Sequence, residues 1–148
     1  MRKEILILLI LLISCSQKEK NINVSTADKW IEFKTKESIP KPLYLALSKL
    51  DNVDFKIANS NERFNATDLL IDSLPSRQLR LLAKKNDKWR MTYIQGGFGK
   101  YYVYIECKIH NDSILDFKIA ESLSLIENND TIDKLLSEHK LKFINVNR

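Results

Sequence analysis

The sequence predicts an α+β fold in which a mostly antiparallel sheet packs against one or two helices. Two observations carry that expectation. Between about residues 77 and 120, four runs alternate apolar with polar side chains and are separated by short turn sequences, and stretches with apolar residues at helical spacing flank that region on both sides. Period-two alternation marks strands with one buried face, and short connections make sequential strands antiparallel neighbours. A sheet with one apolar face needs a cover, and helices are the covers this chain offers.

The chain begins with Arg2 and Lys3, runs through an unbroken apolar stretch from Ile5 to Ile13, and reaches Ser14 and Cys15. Nine residues of helix at 1.5 Å each measure about 14 Å, less than half of the roughly 30 Å hydrocarbon layer, so this stretch is too short to span. A basic start, a short apolar core and small residues behind it are the organisation of a secretory signal. Leu12-Ile13-Ser14-Cys15 resembles the lipobox of bacterial lipoproteins. That resemblance implies a signal peptide over 1–14 and a Cys15 that becomes the first mature residue, with lipid on its thiol and an acyl chain such as palmitate on its amine. Two acyl chains suffice for a stable anchor. The implied address is the cell envelope, at the outer membrane. Lys18-Glu19-Lys20 resembles the charged export signal of surface lipoproteins of Bacteroidota, so periplasm-facing and surface-facing orientations both stay open.

From Ser16 to Asp28 the chain is polar and aperiodic, which reads as a flexible tether with a mean reach on the order of 20 Å. Residues 29–148 are then expected to form one domain. Trp30-Ile31-Glu32-Phe33 reads as a short edge strand or docking segment, because paired aromatics are rarely left in solvent. A first helix is predicted from Ser38 as N-cap, with Pro40 in its first turn, a stripe of Ile39, Leu43, Ala46, Leu47 and Leu50, and a stop at Asp51-Asn52. Val53, Phe55 and Ile57 alternate as a strand. Residues 59–65 are loop, and 68–72 read as either a strand or a short helix before the turn at Leu74-Pro75-Ser76. Asn65-Ala66-Thr67 matches a eukaryotic glycosylation sequon, which the lipobox discounts.

The four-stranded meander follows. Leu79, Leu81 and Ala83 alternate in the first run; Trp89, Met91 and Tyr93 in the second; Tyr101, Val103, Ile105, Cys107 and Ile109 in the third; Leu115, Phe117 and Ile119 in the fourth. A second helix is predicted with Asp130 as N-cap, Asp133 near the positive end of its dipole, and Ile132, Leu135, Leu136 and His139 on one face. Leu141, Phe143, Ile144 and Val146 suggest a last edge strand.

Functional signals are sparse. The net charge of +5 is spread along the chain with no basic cluster, so no nucleic-acid partner is indicated. With Cys15 lipidated, Cys107 is the only thiol left, and its place in an alternating pattern makes it a core residue; His110, three positions along, falls on the opposite face. The chain holds two histidines and lacks the HExxH, GxSxG, phosphate-loop and Cys/His metal-ligand spacings. The expectation is therefore no enzyme, no cofactor and no metal.

Gly96-Gly97-Phe98-Gly99 gathers all three glycines of the chain, and a tight hairpin accounts for them more simply than a ligand loop does. Phe98, Tyr102 and Tyr104 are the candidate ligand-binding residues, since the two tyrosines point away from the apolar face; the alternative is that a second helix or the N-terminal segment covers them. Asp72-Ser73-Leu74, Asp112-Ser113-Ile114 and Asp130-Thr131-Ile132 resemble O-glycosylation acceptors of Bacteroidota. The expected function is a membrane-anchored envelope lipoprotein with a non-catalytic binding or interaction domain, partnered by an envelope protein or a glycan. An inhibitor or immunity-type protein against a secreted toxin would instead show a protruding loop or a charged flat patch. An envelope hydrolase, the least favoured reading, would show convergent polar groups in a pocket.

Overall fold

The computed structural model describes residues 29–51 and 54–144. Strands β1 (Ile31–Phe33), β2 (Arg77–Lys85), β3 (Lys88–Gln95), β4 (Tyr101–His110), β5 (Ser113–Ser122) and β6 (Lys142–Ile144) lie side by side in chain order, and every neighbouring pair is antiparallel. Helix α1 (Lys41–Asp51) precedes β2, and α2 (Asn129–Ser137) lies between β5 and β6. The architecture is α+β, and the four central strands become six because both suspected edge segments pair with the sheet. The expected leader, Cys15, the tether, Asn52, Val53 and Val146 lie outside the described residues.

Turn chemistry explains the meander. Lys85 and Lys88 pair across a two-residue turn in which Asn86 takes a left-handed conformation. His110 and Ser113 pair across Asn111-Asp112, both left-handed, which is the turn whose twist suits a hairpin. Asn and Asp tolerate positive φ better than other residues carrying a Cβ.

The sheet is buried on both faces, where the sequence suggested one. On the first face Leu79, Leu82, Met91, Tyr93, Val103, Ile105 and Cys107 pack with Leu43 and Leu47 of α1 and with Ile39, Phe55 and Ile57. On the second, Leu81, Ala83, Tyr104 and Ala120 pack with Ile126, Leu141 and with Ile132 and Leu135 of α2. A bulge makes this possible in β2: Leu79 opposes Tyr93 while Leu81 opposes Thr92, so Arg80 is the extra residue. Leu79 and Leu82 therefore share a face, and the expected Leu79-Leu81-Ala83 stripe is split. A second bulge lies in β5, where Asp116 is left-handed and its carboxylate sits 2.8 Å from Lys108 Nζ. It carries Phe117 and Ile119 onto the first face and leaves Leu115 exposed.

Three further expectations are corrected. Residues 54–57 form no strand; only Ala58 bridges to Gln78, and Phe55 and Ile57 reach the core from irregular backbone. Helix α1 starts at Lys41, with Pro42 in its first turn, because a 3₁₀ turn over Lys36–Ser38 takes up the residues before it. The N-cap of α2 is Asn128, whose Oδ1 accepts the Thr131 N–H at 2.8 Å, two residues before the expected Asp130.

Candidate functional site

The connections β3–β4 and β5–α2 and the loop that leads into β2 all emerge at one end of the sheet. The four most exposed large apolar side chains among the described residues stand there: Phe98 at 98 %, Leu123 at 89 %, Leu69 at 82 % and Leu70 at 65 %. Ile71 and Leu125 at the same end are also exposed. Scattered single apolar side chains on a surface are ordinary, whereas several on the loops of one end make that end the candidate contact surface.

Two of these three connections are held from below. Asn65 is buried and fastens its loop: its Nδ2 donates to the carbonyls of Ile71 (3.0 Å) and Leu74 (2.9 Å), its Oδ1 accepts the Ile71 N–H (2.9 Å), and its own N–H donates to Pro75 (2.9 Å). The loop is also locked to the neighbouring connection, because a Cβ at Gly96 would fall 1.9 Å from the Asn65 carbonyl oxygen. Gly96 N–H donates to Ser76 at 2.8 Å, and Gly97 and Gly99, at φ +113° and +107°, turn the chain on either side of Phe98.

Below the Phe98 connection, on the first face, a groove of about 430 Å³ opens between the C-terminal end of α1 and the strands. Leu47, Leu50, Val103, Ile119 and Ile144 supply apolar wall, and Asp51, Arg77, Tyr93, Gln95, Tyr101 and Glu121 supply polar groups. Arg77 Nη2 lies 2.7 Å from Asp51 Oδ2, close but too poorly aligned for a hydrogen bond, and the guanidinium stacks on Phe55 at 4.8 Å. Burial pushes the Tyr93 hydroxyl up to about 12, with Arg77 opposing the shift, and raises Tyr101 as well, so both phenols are protonated at neutral pH. Among the described residues no group of three or more His, Cys, Asp or Glu could hold a metal ion.

The three expected ligand residues do not form one patch. Phe98 is the most exposed, Tyr102 is half-buried, and Tyr104 is fully buried. Tyr104 packs beneath α2 and against Phe143, with ring centroids 6.2 Å apart, and its hydroxyl donates to Glu106 Oε2 at 2.7 Å. The helix cover that would hide an outward-facing tyrosine is thus present at Tyr104. Glu106 also accepts from Arg90 Nε at 3.2 Å, while Arg90 Nη1 donates to Asp133 of α2 at 2.7 Å and the guanidinium lies 4.2 Å from the Trp30 ring centroid. This network ties the sheet, α2 and the start of the domain together.

Other singled-out residues fall where structural roles suffice. Cys107 is buried in the first core and His110 is exposed at a hairpin, so the two are not brought together. His139 closes α2 in a left-handed conformation: its N–H donates to Leu136, and the Lys140 N–H donates to Leu135. Ser73 and Ser113 are exposed, whereas Thr131 lies in the first turn of α2. Sequence reasoning found Phe98 but missed Leu69, Leu70, Leu123 and Leu125. Leu123 and Leu125 stood outside every predicted element, whereas Leu69 and Leu70 were hidden by the reading of 68–72 as a strand or short helix, which the structure replaces with irregular loop.

These elements define an α+β protein whose six-stranded antiparallel meander is covered on both faces and ends in a cluster of apolar loop tips. No family model, curated protein or solved structure matches the chain. No helix among the described residues is long and apolar enough to cross a membrane.

Proposed function

We propose that this chain is an envelope lipoprotein, fastened to the outer membrane through Cys15, whose domain is a non-catalytic interaction module that contacts its partner with the Phe98 end. The observation that carries the interaction reading is the gathering of the four most exposed apolar side chains on loops at one end. An exposed phenylalanine held between two left-handed glycines buries large area at little entropic cost once a partner covers it. The anchor reading rests on the Met1 to Cys15 sequence alone.

Intact mass of the native product tests the anchor: the expected polypeptide starts at Cys15 and carries acyl mass, and one that starts at Met1 without acyl mass overturns it. Pulldown from the native envelope tests the module. A tagged protein should retain a discrete partner that the Phe98→Ser variant loses at unchanged thermal stability, and retention by that variant would remove Phe98 from the site.

A second reading, an inhibitor or immunity-type protein against a secreted toxin, is favoured by the exposed Phe98 on the β3–β4 connection, since blocking an active site calls for a side chain that can enter a cavity. Protection of cells from a toxin encoded beside this chain, lost with Phe98→Ser, separates it from the general binding reading.

A further inference from the structure

We infer that the groove between the C-terminal end of α1 and the sheet binds an uncharged amphiphile, a small molecule with an apolar body and a head that presents a carbonyl or hydroxyl oxygen. None of the exposed loop tips lines this groove, so the inference stands apart from the interaction reading above.

Size and layout are the first argument. The groove's volume of about 430 Å³ falls among small-molecule sites, which measure roughly 300–1,000 Å³ and combine apolar wall with a few placed polar groups. Strand register sorts its lining into two ends. Arg77, Gln95 and Tyr101 stand in line across β2, β3 and β4 at one end, while Ile119 pairs with Ile144 across β5 and β6 at the other, and Leu50 of α1 adds to the apolar wall. A ligand that fills the groove therefore meets hydrogen-bonding groups at one end and hydrocarbon at the other.

Charge and proton positions define the head. Arg77 lies 2.7 Å from Asp51, and Glu121 has Lys142 as its register partner, so each carboxylate that lines the groove has its own cation and no surplus charge is left for an ionic head. An ion buried without a partner keeps its desolvation cost, which favours a neutral head. Tyr93 is only 8 % exposed and lines the groove, and Arg77 donates to its oxygen, which leaves the phenol proton for an acceptor. Tyr101 supplies a second O–H at the same end, because burial keeps both phenols protonated at neutral pH. Two donors at the head end call for an oxygen acceptor on the ligand.

The test takes the full chain as its host makes it, held in phosphatidylcholine nanodiscs with its tyrosines isotope-labelled at Cζ, and titrates it with octanamide, octanoate and octylammonium at matched free concentrations. Octanamide should shift the Tyr93 and Tyr101 signals saturably and leave that of Tyr104, buried on the opposite face, in place; the two ions should need about ten-fold more for the same shift. Leu50→Glu, which puts a charge on the apolar wall at a position 40 % exposed, should weaken the octanamide response about five-fold at an unchanged melting curve. Tyr101→Phe keeps the ring, removes one O–H and should weaken the response, read at Tyr93, about three-fold. Leu70→Ser at the loop tips should leave it unchanged. No saturable shift at Tyr93, an equal response to all three heads, or indifference to both groove substitutions overturns this inference and leaves the interaction reading standing. A response lost with Leu70→Ser overturns it by moving the binding to the tips.

Discussion

Arg90 is the residue on which the second core face turns. Its guanidinium is almost wholly buried and is shared by Glu106 on the neighbouring strand, Asp133 on α2 and the ring of Trp30. Breaking a buried pair by removing one partner typically costs about 3–5 kcal/mol, because the remaining charge keeps its desolvation penalty. Asp133 is more than half open to solvent, so its share is screened, and Arg90→Met should cost about 3 kcal/mol, read as a lower urea midpoint with loss of the Trp30 environment by fluorescence. At Glu62 the effect is pH-dependent. The Asn59 N–H, the Lys36 ammonium and the Asn59 amide hold its carboxylate and lower its pKa to about 2. A depressed carboxylate stabilises the fold above its unfolded value near 4.5 and loses that contribution as pH falls through 2. Wild type should therefore be more stable than Glu62→Gln at pH 6, with the gap closing between pH 4.5 and 2; a gap that stays constant through that window would refute the assignment.

At the scale of elements, the sequence is legible where local rules and tertiary packing agree. The four long strands follow from alternation plus Asn-Asp turns, and α2 follows from its Ile132-Leu135 stripe. What periodicity conceals are the bulges. In Leu79-Arg80-Leu81-Leu82-Ala83 a strict alternation would put Leu82 in solvent, but the extra residue at Arg80 returns it to the first core, and the unbroken Leu81-Leu82-Ala83 run is the trace of a strand buried on both faces. Residues 54–57 alternate like a strand and still pair with nothing, because β1 and Ala58 already occupy that side of β2. The three-residue edge strands rest on pairings distant in sequence, which no window of local pattern contains, and the Asn65 clamp, though its partners lie only six to ten residues away, follows no periodicity. The clamp yields its own prediction. Gly96→Ala would force the Cβ into the Asn65 carbonyl oxygen, and overpacking of this kind costs about 1–3 kcal/mol. Because the obstruction lies between two loops, the loss should appear first as faster hydrogen exchange at the Ile71 amide, which Asn65 Oδ1 holds, while amides in the centre of β3 and β4 keep their protection.

For the whole molecule, the separation of its two ends matters more than any one contact. The described chain enters the body through β1 at one end and shows its exposed apolar loop residues at the other, and this polarity follows from topology: an even-handed meander returns β2 and β4 starts, and β3 and β5 ends, to the same side. Of the candidate site, Phe98 was legible as a glycine-flanked aromatic, whereas its grouping with Leu69 and Leu123 became visible only once the strand order was known. Tyr104 was misplaced for a related reason, since nothing local to β4 announces that α2, about 30 residues later, lies over it. The separation can be tested through the length of the tether. With Cys15 as the proposed anchor, 14 residue steps separate it from Lys29, about 48 Å when fully extended, enough to bring the far end of a body about 33 Å long down to the bilayer. Deleting residues 21–28 leaves six steps, about 20 Å, too few for the far end to point straight down at the bilayer, while Lys18-Glu19-Lys20 and Cys15 are untouched. If the partner is met away from the membrane, crosslinking from position 98 in the shortened chain should stay within about two-fold of the full-length value, since the body is brought only some tens of ångströms closer to its anchor. Collapse of the crosslink with correct acylation and an unchanged melting curve would mean that the Phe98 end works folded back against its own membrane.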